Sequence, residues 1–115
     1  MHDNADLRIR TEPDGQSRIV HLEGELSLLN AGALRTALME GLQPGARTVL
    51  DAAGITSIDL SGLQLICSAH KTYATRGAVL EFGEVSGALR ESARSAGYGT
   101  VESACDGERR CLWDW

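Results

Sequence analysis

In the middle of this chain the spacing of apolar residues changes character sharply, and the rest of the fold has to be arranged around that change. Thr48-Val49-Leu50-Asp51 is a short apolar run of the kind that forms a buried strand. Leu63 to Arg76 instead carries helical spacing. Between them lies Thr56-Ser57-Ile58-Asp59-Leu60-Ser61-Gly62-Leu63. A serine thus sits where a strand hands over to a helix, with an acid two residues earlier and a glycine directly after. Ser61 or Asp59 can cap the helix, or the Ser61 hydroxyl can be offered to another molecule. Gly62 supplies room, and the backbone N–H groups of the following turn favour an anion.

Upstream of the junction the period is two. Leu7-Arg8-Ile9-Arg10-Thr11 alternates, which predicts a short strand, and Glu12-Pro13-Asp14-Gly15 reads as a turn. Arg18 to Leu26 alternates again, with Val20, Leu22, Gly24 and Leu26 on one side and His21, Glu23 and Glu25 on the other. The two runs predict a hairpin. Asn30 is the expected N-cap of a helix from Ala31 to Leu42, whose stripe is Leu34, Leu38 and Leu42. Gln43-Pro44-Gly45 ends it. The next strand is expected over Arg47 to Ala52, with Val49 and Leu50 buried on both faces as in a parallel sheet. Strand, helix and strand together imply a right-handed crossover.

Downstream, the helix from about Ser61 to Arg76 places Leu63, Ile66, Cys67, His70, Tyr73 and Ala74 on one face. Gln64, Ser68, Lys71 and Thr75 lie opposite. Leu65 falls near the solvent side and is a candidate surface contact. Gly77 is the expected stop. Ala78 to Phe82 reads as a strand, and Val85, Leu89, Ala93 and Ala96 as the stripe of a last helix closed by Gly97. Tyr98 to Ala104 can add an edge strand. Residues 1–6 read as a frayed end, and 105–115 as a C-terminal extension that ends in apolar Cys111-Leu112-Trp113. The predicted class is α/β, a mixed β-sheet of about four to five strands with amphipathic helices packed on it. The element order is β-β-α-β-α-β-α in a single domain over residues 1–115.

Charge and composition exclude several functions. The net charge is −5, from 11 basic and 16 acidic residues, with no basic cluster beyond Arg109-Arg110. Neither nucleic acid nor an anionic membrane surface fits that balance. No apolar run approaches the roughly 20 residues of a membrane-spanning helix. The polar start, Met1-His2-Asp3-Asn4, is no secretory signal, and the odd set Cys67, Cys105 and Cys111 points to reduced thiols in a cytoplasm. G-x-G-x-x-G and G-x-x-x-x-G-K-[ST] are both absent, so no cofactor is expected. Cys67, His70, Cys105 and Cys111 are four soft ligands, but Cys105 and Cys111 are spaced more widely than zinc pairs are, and no metal is expected. A hydrolase pairing Ser61 with His70 would need both at one cleft. His70 lies mid-stripe, where a hydrogen-bonded core residue is the expected role.

Asp59-Leu60-Ser61-Gly62-Leu63, after a strand and before an amphipathic helix, resembles the signature of the STAS domain, found in bacterial anti-sigma factor antagonists. The likeness extends over nearly the whole chain: an opening hairpin, Gly24-Glu25-Leu26 before the first helix, the strand into Asp51, the Gly77 stop and a final strand–helix pair ending at Gly97-Tyr98. In that family the serine or threonine before the motif glycine accepts phosphate from a partner kinase. The resemblance makes Ser61 the phosphoacceptor within a loop of Ser57, Asp59, Leu60, Gly62 and Leu63. Gln64 and Leu65 become the partner contacts. It implies a protein that is a substrate, not an enzyme. Its partners would be an anti-sigma factor or ATP-dependent sensor serine kinase, with a phosphatase to reverse the mark, and phosphorylation would weaken binding. Two positions depart from the pattern. Leu60 stands where many members carry a second hydroxyl, and Ser27 where many carry an aspartate. Ser57 and Thr56 are further hydroxyls nearby. Leu63 to His70 and Cys111-Leu112-Trp113 are similar to stand-alone members associated with sensor kinases and chemotaxis. The alternative within the family is a scaffold subunit of a sensory or transporter complex that is not phosphorylated.

Overall fold

The computed structural model describes residues 6–98. Four strands and three helices follow in the order β1 (Leu7–Asp14), β2 (Ser17–Leu26), α1 (Ala31–Glu40), β3 (Arg47–Ile58), α2 (Leu60–Thr75), β4 (Val79–Val85) and α3 (Gly87–Ser95). They form one mixed sheet in the spatial order β1-β2-β3-β4, antiparallel between β1 and β2 and parallel elsewhere. Parallel neighbours need a crossover, and α1 and α2 supply it. The expected fold class and element order hold. The segments proposed beyond Tyr98, including the edge strand and the C-terminal extension, lie outside the described residues.

Alternation decides which face the helices cover. Val20, Leu22 and Leu26 in β2, and Thr48, Leu50 and Ala52 in β3, are buried, whereas their neighbours Ile19, His21, Val49 and Asp51 are only half-buried. The helices lay Leu34, Leu38, Leu63, Ile66, Tyr73, Leu89 and Ala93 into the same core. Burying each large aliphatic side chain there contributes about 1.5–3 kcal/mol relative to leaving it in water. Val49 therefore departs from the expectation of two covered faces, because among the described residues no helix packs on the far side of the sheet.

That uncovered face is polar. His21 Nδ1 lies 2.6 Å from Asp51 Oδ2, and its Nε2 lies 2.9 Å from Glu12 Oε1. Arg10 donates to the same Glu12 oxygen at 3.0 Å. His21 first, and Arg10 with it, hold the Glu12 carboxyl below the ordinary carboxylate range.

Several boundaries differ from the sequence reading. The expected turn over Glu12–Gly15 shrinks to Gly15-Gln16, since Glu12 pairs with Ile19 and Pro13 with Arg18. Proline is tolerated there because β1 is an edge strand and its missing N–H has no ladder partner to lose. α1 stops at Glu40 instead of Leu42. Val85 ends β4 rather than opening the last helix, and Ser86 caps α3 by accepting from the Leu89 N–H at 3.0 Å.

Behind the sheet, α1 and α2 are tied by a buried polar knot. The fully buried Tyr73 donates its hydroxyl to the Leu38 carbonyl at 2.6 Å, and Thr48 Oγ1 sits 3.2 Å from the Tyr73 hydroxyl oxygen. Arg18 adds a donor to the Ala37 carbonyl, so the carbonyls at the end of α1 are satisfied by side chains from two other elements. Tyr73→Phe should lower the stability by about 1 kcal/mol, the net value of the lost hydrogen bond, since the Leu38 carbonyl keeps the Gly41 N–H and Thr48 Oγ1 keeps the Arg18 guanidinium. Urea unfolding followed by circular dichroism measures it, and a loss below about 0.5 kcal/mol would mean that water replaces the hydroxyl.

Candidate functional site

The junction singled out by sequence is the point where β3 delivers the chain into α2. β3 runs to Ile58, six residues further than the expected end at Ala52. Ser57, placed in a loop by the sequence reading, and its neighbour Thr56 are thus exposed residues near the end of a strand. Twice β3 carries one residue more than β2, between the pairs His21–Asp51 and Glu23–Gly54 and again between Gly24–Ile55 and Glu25–Ser57. Each extra residue is a bulge that moves the next apolar side chain back to the core face. Ile55 and Ile58 are buried for that reason.

Asp59 is the cap. It has extended backbone angles, φ −100° and ψ −179°, and its Oδ1 accepts from the Gly62 N–H at 3.0 Å. Its carbonyl accepts from the Leu63 N–H at 3.1 Å. Ser61 is the second residue of α2 and takes no part in capping. Among the described residues, no hydrogen bond of the Ser61 hydroxyl to a neighbouring group is found. The side chain is half-buried between exposed Leu60 and buried Gly62. Gly62 is required by packing. A Cβ there would stand 2.8 Å from Leu26 Cγ and 2.9 Å from Ile58 Cγ1, so only glycine lets α2 start this close to the sheet.

The remaining site residues divide by exposure. Leu60 is 53% exposed, and Gln64 is exposed on the same turn of the helix. Leu63 is buried and anchors the helix to the core. Leu65, expected near solvent, is half-buried and packs against the core edge. His70 is half-buried. It stands nine residues after Ser61, about 13 Å further along the helix axis, so the two do not share a cleft. Among the described residues no three of His, Cys, Asp and Glu are placed to hold a metal ion. Cys105 and Cys111 lie outside them. A groove of about 590 Å³ does exist, lined by Arg8, Arg10, His21, Glu23 and Asp51, but it lies on the uncovered sheet face and does not include Ser61.

One part of this surface was missed. The turn between β2 and α1 carries Leu28 and Leu29, 72% and 89% exposed. Four N–H groups hold that turn in shape. Ser27 donates to Asn30 Oδ1, Leu29 to Ser27 Oγ, Asn30 to the Ser27 carbonyl, and Leu28 to Asp59 Oδ2 at 3.1 Å. Asn30 occupies the expected cap position of α1 but makes no cap bond, because its side chain is used inside the turn. Two adjacent leucines outside any periodic stripe, followed by Asn30, were the available signal.

The comparison with family models matches residues 9–103 to the family described as Mlab, STAS domain. The chain belongs to the STAS domain family. Its fold is similar to an anti-sigma factor antagonist from Mycobacterium paratuberculosis, with a TM-score of 0.70 and 16% identity over 84% of this chain and 83% of that one. It is also similar to an anti-sigma factor antagonist STAS domain from Rhodobacter sphaeroides, with a TM-score of 0.57 and 26% identity over 70% and 88%. The unphosphorylated anti-sigma factor antagonist SpoIIAA gives a TM-score of 0.62 and 17% identity over 78% and 81%. No curated protein matches the sequence. Within this STAS chain, the motif Asp59-Leu60-Ser61-Gly62 occupies the start of α2.

Proposed function

We propose that this STAS protein is a protein-binding module switched by phosphorylation at Ser61. The observation that carries the reading is the division of labour at the start of α2. Asp59 does the capping, which leaves the Ser61 hydroxyl without a structural task beside an exposed surface. His70 stands about 13 Å further along the helix axis, and the Asp59 carboxylate is engaged by the Gly62 and Leu28 N–H groups, so the hydroxyl depends on another protein for activation. The family and the anti-sigma factor antagonists among its structural neighbours support the same partner class.

In this reading a serine kinase or anti-sigma factor docks over Leu60, Ser61, Gln64 and the exposed part of Leu65. Ser61 Oγ attacks the γ-phosphorus of ATP held by that partner. The bond from the γ-phosphorus to the bridging oxygen breaks, ADP leaves, and the hydroxyl proton passes to a base of the partner. The chain is therefore substrate and binding module, and a phosphatase restores it. Ser57 and Thr56, exposed on the last stretch of β3, are the competing acceptors. The whole domain, residues 1–115, is the unit that the kinase meets in the cytoplasm.

Incubation with the partner kinase and ATP, followed by mass spectrometry of proteolytic fragments, tests this directly. One phosphate on Ser61 is the expected outcome. Phosphate on Ser57 or Thr56 with Ser61 unmodified would overturn the assignment.

A further inference from the structure

Asp59 uses its two carboxylate oxygens on two different segments. Oδ1 accepts from the Gly62 N–H at 3.0 Å and caps α2. Oδ2 accepts from the Leu28 N–H at 3.1 Å, across 31 positions of sequence. The Asp59 N–H also donates to the Leu26 carbonyl at 3.1 Å, which brings the end of β2 to the same point. The other three N–H groups of the Leu28–Leu29 turn are satisfied from within the turn. The Asp59 carboxylate is thus the side-chain link between the turn and the phosphoacceptor segment. Three of the four large hydrophobic side chains that are most exposed among the described residues, Leu28, Leu29 and Leu60, stand on the two segments so joined.

We propose that Asp59 is a positioning residue that holds the Leu28–Leu29 turn beside Ser61, and that negative charge on Ser61 releases the turn. The inference deepens the phosphorylation reading and rests on it for the source of the charge. A phosphate on the second residue of a helix reaches the same first-turn N–H groups that the cap carboxylate uses, and it repels that carboxylate. The Lys71 ammonium of α2 lies ten residues beyond Ser61 in sequence, and the first turn carries no cation to offset two neighbouring anions. Displacement of Asp59 removes the acceptor of the Leu28 N–H. The turn then loses its tie to α2, and the apolar surface met by a partner changes together with its charge.

The two jobs of Asp59 can be separated. In Asp59→Asn the side-chain oxygen still caps Gly62, since asparagine caps as well as aspartate. Its NH₂ group, however, donates and cannot accept from Leu28. Amide exchange of the full chain, read by ¹⁵N NMR, should therefore rise about three- to tenfold at Leu28 in Asp59→Asn, with Gly62 within about twofold of wild type. Ser61→Asp should raise exchange at Leu28 in the same way without any kinase present. Unchanged exchange at Leu28 in either variant, or a loss at Gly62 in Asp59→Asn while Leu28 stays protected, would overturn the proposal. These measurements fail separately from the phosphorylation reading, which falls only if the kinase leaves Ser61 unmodified.

Discussion

Ser61→Asp should weaken binding to the partner by about 30-fold, and full phosphorylation by up to roughly a few thousand-fold, whereas Ser61→Ala binds like wild type and takes up no phosphate. Phosphoserine adds about −1.5 to −2 units of charge at pH 7, and aspartate adds one. In the free domain that charge sits at the start of α2, where the helix dipole offers about 0.3–1 kcal/mol in its favour. Enclosed against a partner without cations to meet it, the same charge costs roughly 2–5 kcal/mol. The difference places the main effect at the interface. Ser61→Ala should also leave folding stability within about 0.5 kcal/mol of wild type, because Asp59 and not Ser61 caps the helix. Titration calorimetry with the partner reads the affinities. Binding that ignores Ser61→Asp would favour the scaffold alternative over the switch.

Gly24→Ala should cost about 2–5 kcal/mol of folding stability, with partner contacts left in place. Gly24 has a φ of +111°, a conformation that side chains other than glycine rarely adopt. Its position also leaves no room, since an added Cβ would run into the carbonyl of Asp6, the residue just before β1. That carbonyl is fixed, because it accepts from the Glu25 N–H at 2.6 Å. Gly15 makes the internal comparison. It too has positive φ, +67°, but a Cβ there meets nothing within 4 Å, so Gly15→Ala should cost only about 1 kcal/mol. Urea unfolding of the two variants side by side checks the pair. Equal losses would mean that the close approach of the strands relaxes without penalty.

The element order was legible because each element carries its own period. Val20, Leu22 and Leu26 mark a strand, and Leu63, Ile66 and Tyr73 mark a helix face, and all of these are buried as that spacing requires. The end of β3 was not legible, and the reason is physical. A period of two assumes a regular ladder, and the two bulges after Asp51 shift the core-facing position from Ala52 to Ile55 and then Ile58. Ser57 consequently looked like loop. At the candidate site the sequence placed Ser61 correctly at the start of a helix but left Asp59 and Ser61 as rival caps. Three-dimensional direction decided between them. The Leu28–Leu29 turn was invisible for a different reason. Its shape rests on a hydrogen bond from Leu28 to Asp59, and no local pattern reports a contact across 31 residues.

The polar side of the sheet has a consequence for how other chains can attach. Arg8 pairs with Glu23, Arg10 with Glu12 and Arg47 with Glu81, and His21 hydrogen-bonds to Glu12 and Asp51, so paired polar groups spread across the uncovered face. A protein that lay down there would have to strip water from every pair at once, a desolvation that exposed ion pairs do not repay. Along the β1 edge, Arg8, Arg10 and Pro13 discourage an incoming strand from extending the ladder. Two of the directions from which this small domain can be approached are thereby discouraged. The end where β2 and β3 finish is built differently, for it carries exposed Leu28, Leu29 and Leu60 and the hydroxyl of Ser61.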